Sequence, residues 1–116
     1  MRPAGRQPHT VTLGEQQSGR QVTLAAGDKL DVSLAGNPST GFSWNVQSFD
    51  ATVLRQAGEP EFQPASSALG SGGTFTYRFE AIGAGQTTLA LAYSRPFEKG
   101  VPAQKIFTAR VVVARP

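Results

Sequence analysis

Apolar residues alternate with polar or small ones in five segments of this 116-residue chain. Successive side chains of a β-strand point to opposite faces, so a period of two predicts a strand with one buried face. No window of ten or more residues keeps a helical period, and 13 glycines and 8 prolines interrupt the chain. The alternation therefore predicts an all-β protein. Its apolar positions are Leu30, Val32 and Leu34; Phe42, Trp44 and Val46; Phe75, Tyr77 and Phe79; Leu89, Leu91 and Tyr93; and Phe107, Ala109, Val111 and Val113.

Three shorter segments, at residues 11–13, 22–24 and 53–56, raise the expected number of strands to seven or eight. Short alternating strands between turn signals are typical of antiparallel sandwiches and barrels. The Gly-Ala-Gly turn within residues 82–85 favours an immunoglobulin-like antiparallel β-sandwich, with an OB-type barrel as the alternative. Glu59 and Glu61 are placed in a proline-flanked connection between strands.

Length and composition predict one domain. Residues 1–8 are polar and rich in Pro, Gly and Arg, which predicts a flexible tail before a domain at 9–116. The net charge is +3, but the 11 basic residues are dispersed, which predicts binding to neither nucleic acid nor membrane. No apolar run approaches the ~20 residues of a spanning helix, and the first six residues show no signal peptide.

The chain lacks the residue patterns of common active sites. It has no cysteine, and His9, its one histidine, lies beside the predicted tail, where a catalytic base would lack fixed geometry. No nucleophile elbow or phosphate-binding loop is present, and the carboxylates show no metal-ligand spacing. We therefore expect no enzyme activity, no catalytic residues, no metal and no cofactor.

Three connections between strands have unusual compositions. The first loop, residues 36–42, contains Pro38, which fixes its own φ angle and holds Asn37 extended between two flanking glycines. The second loop, residues 69–75, has three glycines that expose bare backbone. The third loop, residues 94–98, places Arg95 near Phe97, a composition found at interface hot spots. In an immunoglobulin-type strand order these loops emerge at one end of the sandwich, which predicts a binding surface.

The same three loops resemble motifs of the chagasin family of cysteine protease inhibitors. The segments Asn-Pro-Ser-Thr-Gly-Phe, Gly-Ser-Gly-Gly and Arg-Pro-Phe resemble, in the same order, the family's Asn-Pro-Thr-Thr-Gly-Phe, Gly-x-Gly-Gly and Arg-Pro-Trp. The resemblance runs from about residue 20 to the C-terminus. Two positions depart from the family pattern: Ser39 stands in place of a threonine, and Phe97 in place of a tryptophan.

The resemblance implies reversible, non-covalent inhibition of papain-like proteases, cathepsin-L-like enzymes among them, by a monomer with a chagasin-like domain. Thr40 would lie nearest the protease thiolate, with the second and third loops on the two sides of the cleft. It also suggests a periplasmic or secreted location. A non-inhibitory immunoglobulin-like adhesion or structural module and an OB-like nucleic-acid binder are the alternatives. The implied protease-binding residues are Asn37, Pro38, Ser39, Thr40, Gly41, Phe42, Gly70, Gly72, Gly73, Arg95, Pro96 and Phe97.

Overall fold

The computed structural model describes residues 8–66, 72–95 and 97–114, and within them it contains nine β-strands. Two short 3-10 turns, Glu15–Gln17 and Pro38–Thr40, lie between strands. The strands are β1 (Thr10–Gly14), β2 (Gln21–Ala25), β3 (Lys29–Gly36), β4 (Ser43–Ser48), β5 (Leu54–Gln56), β6 (Glu61–Pro64), β7 (Gly73–Ala81), β8 (Gly85–Ser94) and β9 (Lys105–Ala114).

The strands form two sheets that pack face to face. One sheet has the order β1-β3-β7-β5, with β6 also paired to β7, and the other has the order β2-β9-β8-β4. The predicted all-β sandwich is confirmed, and the alternative of a barrel is wrong because the sheets stay separate. The sheets are mixed, however: β1 runs parallel to β3, and β2 parallel to β9. The parallel pair β1–β3 arises because β2, the strand between them in the chain, joins the opposite sheet.

Strand β6 is an addition to the expected set, and it corrects the placement of Glu61 in a connection. The strand begins at Glu61 and pairs with the first half of β7. Of its four residues only Phe62 is partly buried, and its ring lies 4.9 Å from that of Phe75. A strand that is exposed along most of its length has no alternating apolar pattern, so the sequence carried no signal for it.

The core lies between the sheets and contains the apolar positions of the alternating segments, except that Phe42 and Val46 are only partly buried and pack against its edge. Trp44 is 2% exposed, and Phe75, Tyr77 and Phe79 are also buried, so their predicted role as core residues is confirmed. The indole N–H of Trp44 donates to the Ala35 carbonyl at 3.0 Å. The Tyr77 hydroxyl donates to the Trp44 carbonyl, and burial raises the pKa of that hydroxyl. The buried polar atoms of the Trp44 and Tyr77 side chains therefore both have a partner.

Near the N-terminal end of the described chain, the backbone of His9 makes two hydrogen bonds. Its N–H donates to Asp28 Oδ1 at 3.0 Å, and its carbonyl accepts from the Lys29 N–H at 2.8 Å. Among the described residues no helix is long and apolar enough to cross a membrane. The same residues contain no group of three or more side chains suited to hold a metal ion.

Strand register brings the described parts of the three loops to one end of the sandwich. Gly36, the last residue of β3, pairs with Gly73, the first residue of β7. In the other sheet Ser43, at the start of β4, pairs with Ser94, at the end of β8. The connection from β3 to β4, the chain that enters β7 and the chain that leaves β8 therefore lie side by side.

Candidate functional site

The first loop is a single 3-10 turn closed by its own hydrogen bonds. Asn37 has extended backbone, as expected before a proline, and its Oδ1 accepts from the Ser39 N–H at 3.1 Å and the Ser39 hydroxyl at 2.6 Å. The Thr40 hydroxyl donates to the Asn37 carbonyl at 2.7 Å. Gly41 ends the turn with a φ of 85°, in the left-handed region where glycine is favoured, and its N–H donates to the Pro38 carbonyl.

The exposed part of this turn is uncharged and has no titratable group. Pro38, Ser39 and Thr40 are exposed, whereas Asn37 and Gly41 are partly buried. The hydroxyls of Ser39 and Thr40 both donate within the turn, so neither is activated by a neighbouring base. The turn offers a partner its shape and its backbone, and no reactive group.

In the second loop the structure describes Gly72 and Gly73, whereas Gly70 lies outside the described residues. Gly73 belongs to β7 and pairs with Gly36 on one side and Pro64 on the other. A Cβ at Gly73 would overlap the Gln63 carbonyl oxygen, and one at Gly72 would lie 3.1 Å from the Gly36 carbonyl oxygen. Close approach of neighbouring strands therefore requires glycine at position 73 and leaves little room for a side chain at position 72, a reason that the sequence did not reveal.

The third loop contacts the first through Arg95. Its Nε–H donates to the Thr40 carbonyl at 2.9 Å, and its guanidinium lies 4.4 Å from the centre of the Phe42 ring. The same side chain forms an ion pair with Glu98 at 3.3 Å. Arg95 therefore uses donors within the protein, to Thr40 and to Glu98. Pro96 lies outside the described residues.

Phe97 is the most exposed large apolar side chain among the residues that the structure describes, with 71% of its area accessible. A Cβ at Gly41 would lie 3.3 Å from its ring, so the ring rests beside the end of the first turn. An exposed aromatic ring next to a rigid turn is suited to contact a partner.

Beneath the first loop, Tyr93 connects it to the core. Its hydroxyl accepts the Asn37 N–H at 2.9 Å, and its ring stacks on Phe42 with centres 5.1 Å apart. The ring of Trp44 also contacts the Tyr93 ring, with centres 5.1 Å apart. The sequence identified Tyr93 only as a core position. Alternation shows that the side chain faces inward, but it does not show which group its hydroxyl bonds.

A cavity of about 250 Å³ lies beside the third loop. Its walls come from that loop, from the end of the first loop and from the segment leading into β9, and they combine apolar side chains with the Arg95–Glu98 ion pair. Two motif residues, Phe42 of the first loop and Arg95 of the third, belong to its walls. The residues lining it are Phe42, Ser94, Arg95, Glu98, Val101, Pro102 and Gln104.

Comparison with known proteins gives consistent matches. Residues 23–111 match the model of the chagasin family peptidase inhibitors, family I42. Chagasin of Trypanosoma cruzi is 31% identical over 96 residues, which cover 77% of this chain and 83% of that protein. Amoebiasin-2 of Entamoeba histolytica is 28% identical over 102 residues, or 87% of this chain and 83% of that protein.

A solved structure shows the same architecture. The crystal structure of a cysteine protease inhibitor from Entamoeba histolytica superposes with a TM-score of 0.83 at 25% identity, covering 94% of this chain and 99% of that one. The family consists of protease inhibitors and not of enzymes, which confirms the expectation that the chain is not an enzyme. The resemblance inferred from the three motifs is confirmed as well. This chain belongs to the chagasin family of peptidase inhibitors.

Proposed function

We propose that this protein inhibits papain-like cysteine proteases, cathepsin-L-like enzymes among them, by inserting its three loops into the active-site cleft as a monomer. The observation that carries the proposal is the direct attachment of the first loop to its neighbours. Tyr93 bonds the start of the turn at Asn37, and Arg95 bonds its end at Thr40. Chagasin and the Entamoeba inhibitor named above are relatives of this chain, and the latter is a cysteine protease inhibitor.

Inhibition of this kind is reversible and non-covalent because the exposed turn has nothing with which to react. Its hydroxyls donate to Asn37, and it contains no cysteine, lysine or carboxylate. Cleavage of the turn would require an extended backbone. Opening it would break the hydrogen bonds from Ser39, Thr40 and Gly41, each worth about 0.5–1.5 kcal/mol. A turn that stays closed occupies the cleft without acting as a substrate.

A rigid loop also binds more tightly than a flexible one. Ordering a loop on association costs free energy, about 0.5–1.5 kcal/mol for each side chain that is immobilised. Here the turn is already ordered by Pro38, by its own hydrogen bonds and by contacts to Tyr93 and Arg95. The free inhibitor therefore has the conformation that we propose for the bound one.

The candidate residues contribute in different ways. Pro38, Ser39 and Thr40 are exposed and form the part that enters the cleft, with Asn37 and Gly41 shaping the turn. Phe97 is the proposed anchor of the third loop. Phe42 and Arg95 support the turn through their contacts with Tyr93 and Thr40. Gly70, Gly72, Gly73 and Pro96 stay predictions from the motifs.

The first experiment is titration of the protein against papain and a cathepsin-L-like protease. We expect residual activity to fall linearly to an equivalence point, activity to return on dilution, and the inhibitor to keep its mass after long incubation. Unchanged protease activity at micromolar inhibitor would refute the proposal for this class of protease. A cleaved 38–40 segment would show that the protein is a substrate.

The second experiment locates the contact. Thr40→Arg places a long charged side chain at the exposed turn, and we expect the inhibition constant Ki to rise at least about a hundredfold, or ~2.7 kcal/mol. Thr40→Ser keeps the internal hydroxyl and should retain inhibition. The matched control is Thr23→Arg, on the exposed face of an edge strand paired with the far half of β9. Equal loss of inhibition in both arginine variants would contradict a contact at Thr40.

A further inference from the structure

Tyr93 is the last inward-facing residue of β8, and only 6% of its surface is exposed. A side chain this buried cannot form a substantial contact with a partner. Its hydroxyl nevertheless reaches the binding surface from below, where it accepts the backbone N–H of Asn37 at 2.9 Å, 56 residues earlier in the chain. The bond joins the strand that leads to the third loop to the residue that begins the first turn.

The backbone beside this bond is shaped to admit the tyrosine ring. A Cβ at Gly36 would lie 3.1 Å from Cε1 of Tyr93 and 2.7 Å from Cε1 of Phe75. The missing side chain lets both rings lie against the entry to the first loop. Without that space the Tyr93 hydroxyl would be pushed away from Asn37, so glycine at this position serves the same bond.

The ring is held from the other end of the loop as well. Phe42, which follows the turn, stacks on Tyr93 with an angle of 22° between the ring planes, and Arg95 lies over Phe42. Trp44 contacts Tyr93 at 5.1 Å and is itself bonded to Ala35. Both ends of the first loop therefore contact one buried side chain, that of Tyr93.

We infer that Tyr93 is a positioning residue for inhibition: its hydroxyl sets the location of the first turn relative to the third loop, acting through Asn37. This inference rests on the proposed function. A phenylalanine would fill nearly the same volume in the core, so packing alone does not require the hydroxyl. The oxygen is instead placed to accept an N–H of the binding loop.

The test compares two conservative variants that each remove one buried hydroxyl. Tyr93→Phe removes the acceptor of the Asn37 N–H, whereas Tyr77→Phe removes a donor to the Trp44 carbonyl within the core. Loss of one such bond corresponds to a change of about three- to tenfold in an equilibrium constant. We expect Tyr93→Phe to raise Ki against papain by about that factor, and Tyr77→Phe to leave Ki within about twofold, although both lower Tm.

Amide hydrogen exchange supplies a readout that needs no protease. We expect the Asn37 amide to exchange about three to ten times faster in Tyr93→Phe, with the β3 and β7 amides unchanged after correction for global stability. In Tyr77→Phe the Asn37 amide should exchange as in the wild type.

The outcomes separate this inference from the proposed function. If the wild type inhibits no papain-like protease, the proposed function fails, while the exchange rates still report whether Tyr93 holds the turn. If the wild type inhibits but Tyr93→Phe has unchanged Ki, the inference is overturned, whatever its exchange rates. If both variants raise Ki equally, the effect follows from lost stability, and the inference is again overturned.

Discussion

Replacing Arg95 by methionine tests whether the third loop holds the first in place. Methionine keeps an unbranched stem against the Phe42 ring but removes the charge and every donor. The substitution therefore breaks the Nε–H bond to the Thr40 carbonyl, the cation–π contact with Phe42 and the ion pair with Glu98. Core packing is left in place because Arg95 is partly exposed and lies outside the cluster of buried core residues.

The size of the effect follows from these three contacts. A hydrogen bond from a charged donor contributes about 1.5–3 kcal/mol, and partial exposure places this one at the lower end. An exposed cation–π contact adds about 0.5–1 kcal/mol, and an exposed ion pair about 0.2–1 kcal/mol. Methionine recovers part of the ring contact, which leaves a net loss of about 2 kcal/mol.

This loss should appear both as lower stability and as weaker inhibition. Once released, the turn must be ordered again on binding, so we expect Ki to rise about tenfold and by no more than about thirtyfold. The assay is inhibition of papain at several inhibitor concentrations, together with thermal unfolding. Tm should fall by several degrees.

The matched control is Arg55→Met. Arg55 also forms an ion pair, with Glu80, but it lies on β5, which pairs with the end of β7 farthest from Gly73. We expect Ki to stay within about twofold of the wild type. A Ki for Arg95→Met that is unchanged would refute the idea that the third loop braces the first. An equal rise in Arg55→Met would show that the effect is global.

Two further predictions concern stability. Gly73→Ala should lower the free energy of unfolding, measured in urea, by about 1–3 kcal/mol because its Cβ would overlap the Gln63 carbonyl. Gly14→Ala, with no Cβ contact under 3.4 Å, should leave it nearly unchanged, and equal effects of the two variants would contradict this account of the packing. Hydrogen bonds from Thr52 lower the pKa of Asp50 from its ordinary value. Its ionised form therefore contributes stability that is present above about pH 4 and is lost as the pH falls through the folded-state pKa. The Tm difference between the wild type and Asp50→Ala should therefore shrink below that pH, and a constant difference down to about pH 2 would exclude this linkage.

Much of the fold could be predicted because the relevant rules are local. Alternation identified the inward face of each long strand, and it placed Trp44 and Phe79 in the core, where both are buried. Pairing was not predictable in the same way. Alternation reports which face of a strand is buried but not the direction of its neighbour, so the two parallel pairs were not anticipated. Strand β6 has little buried surface and left no pattern to find.

The candidate site shows the same division. Pro38 and its neighbours determined by themselves that the first loop would be a stiff turn, since proline geometry and the Asn37 side chain act within a few residues. Only the tertiary structure decided what holds that turn. The acceptor of the Asn37 N–H is 56 residues away in sequence, and the donor to the Thr40 carbonyl is 55 away. Such contacts depend on which strands become neighbours, and that choice is made by the packing of the whole chain and not by any local pattern.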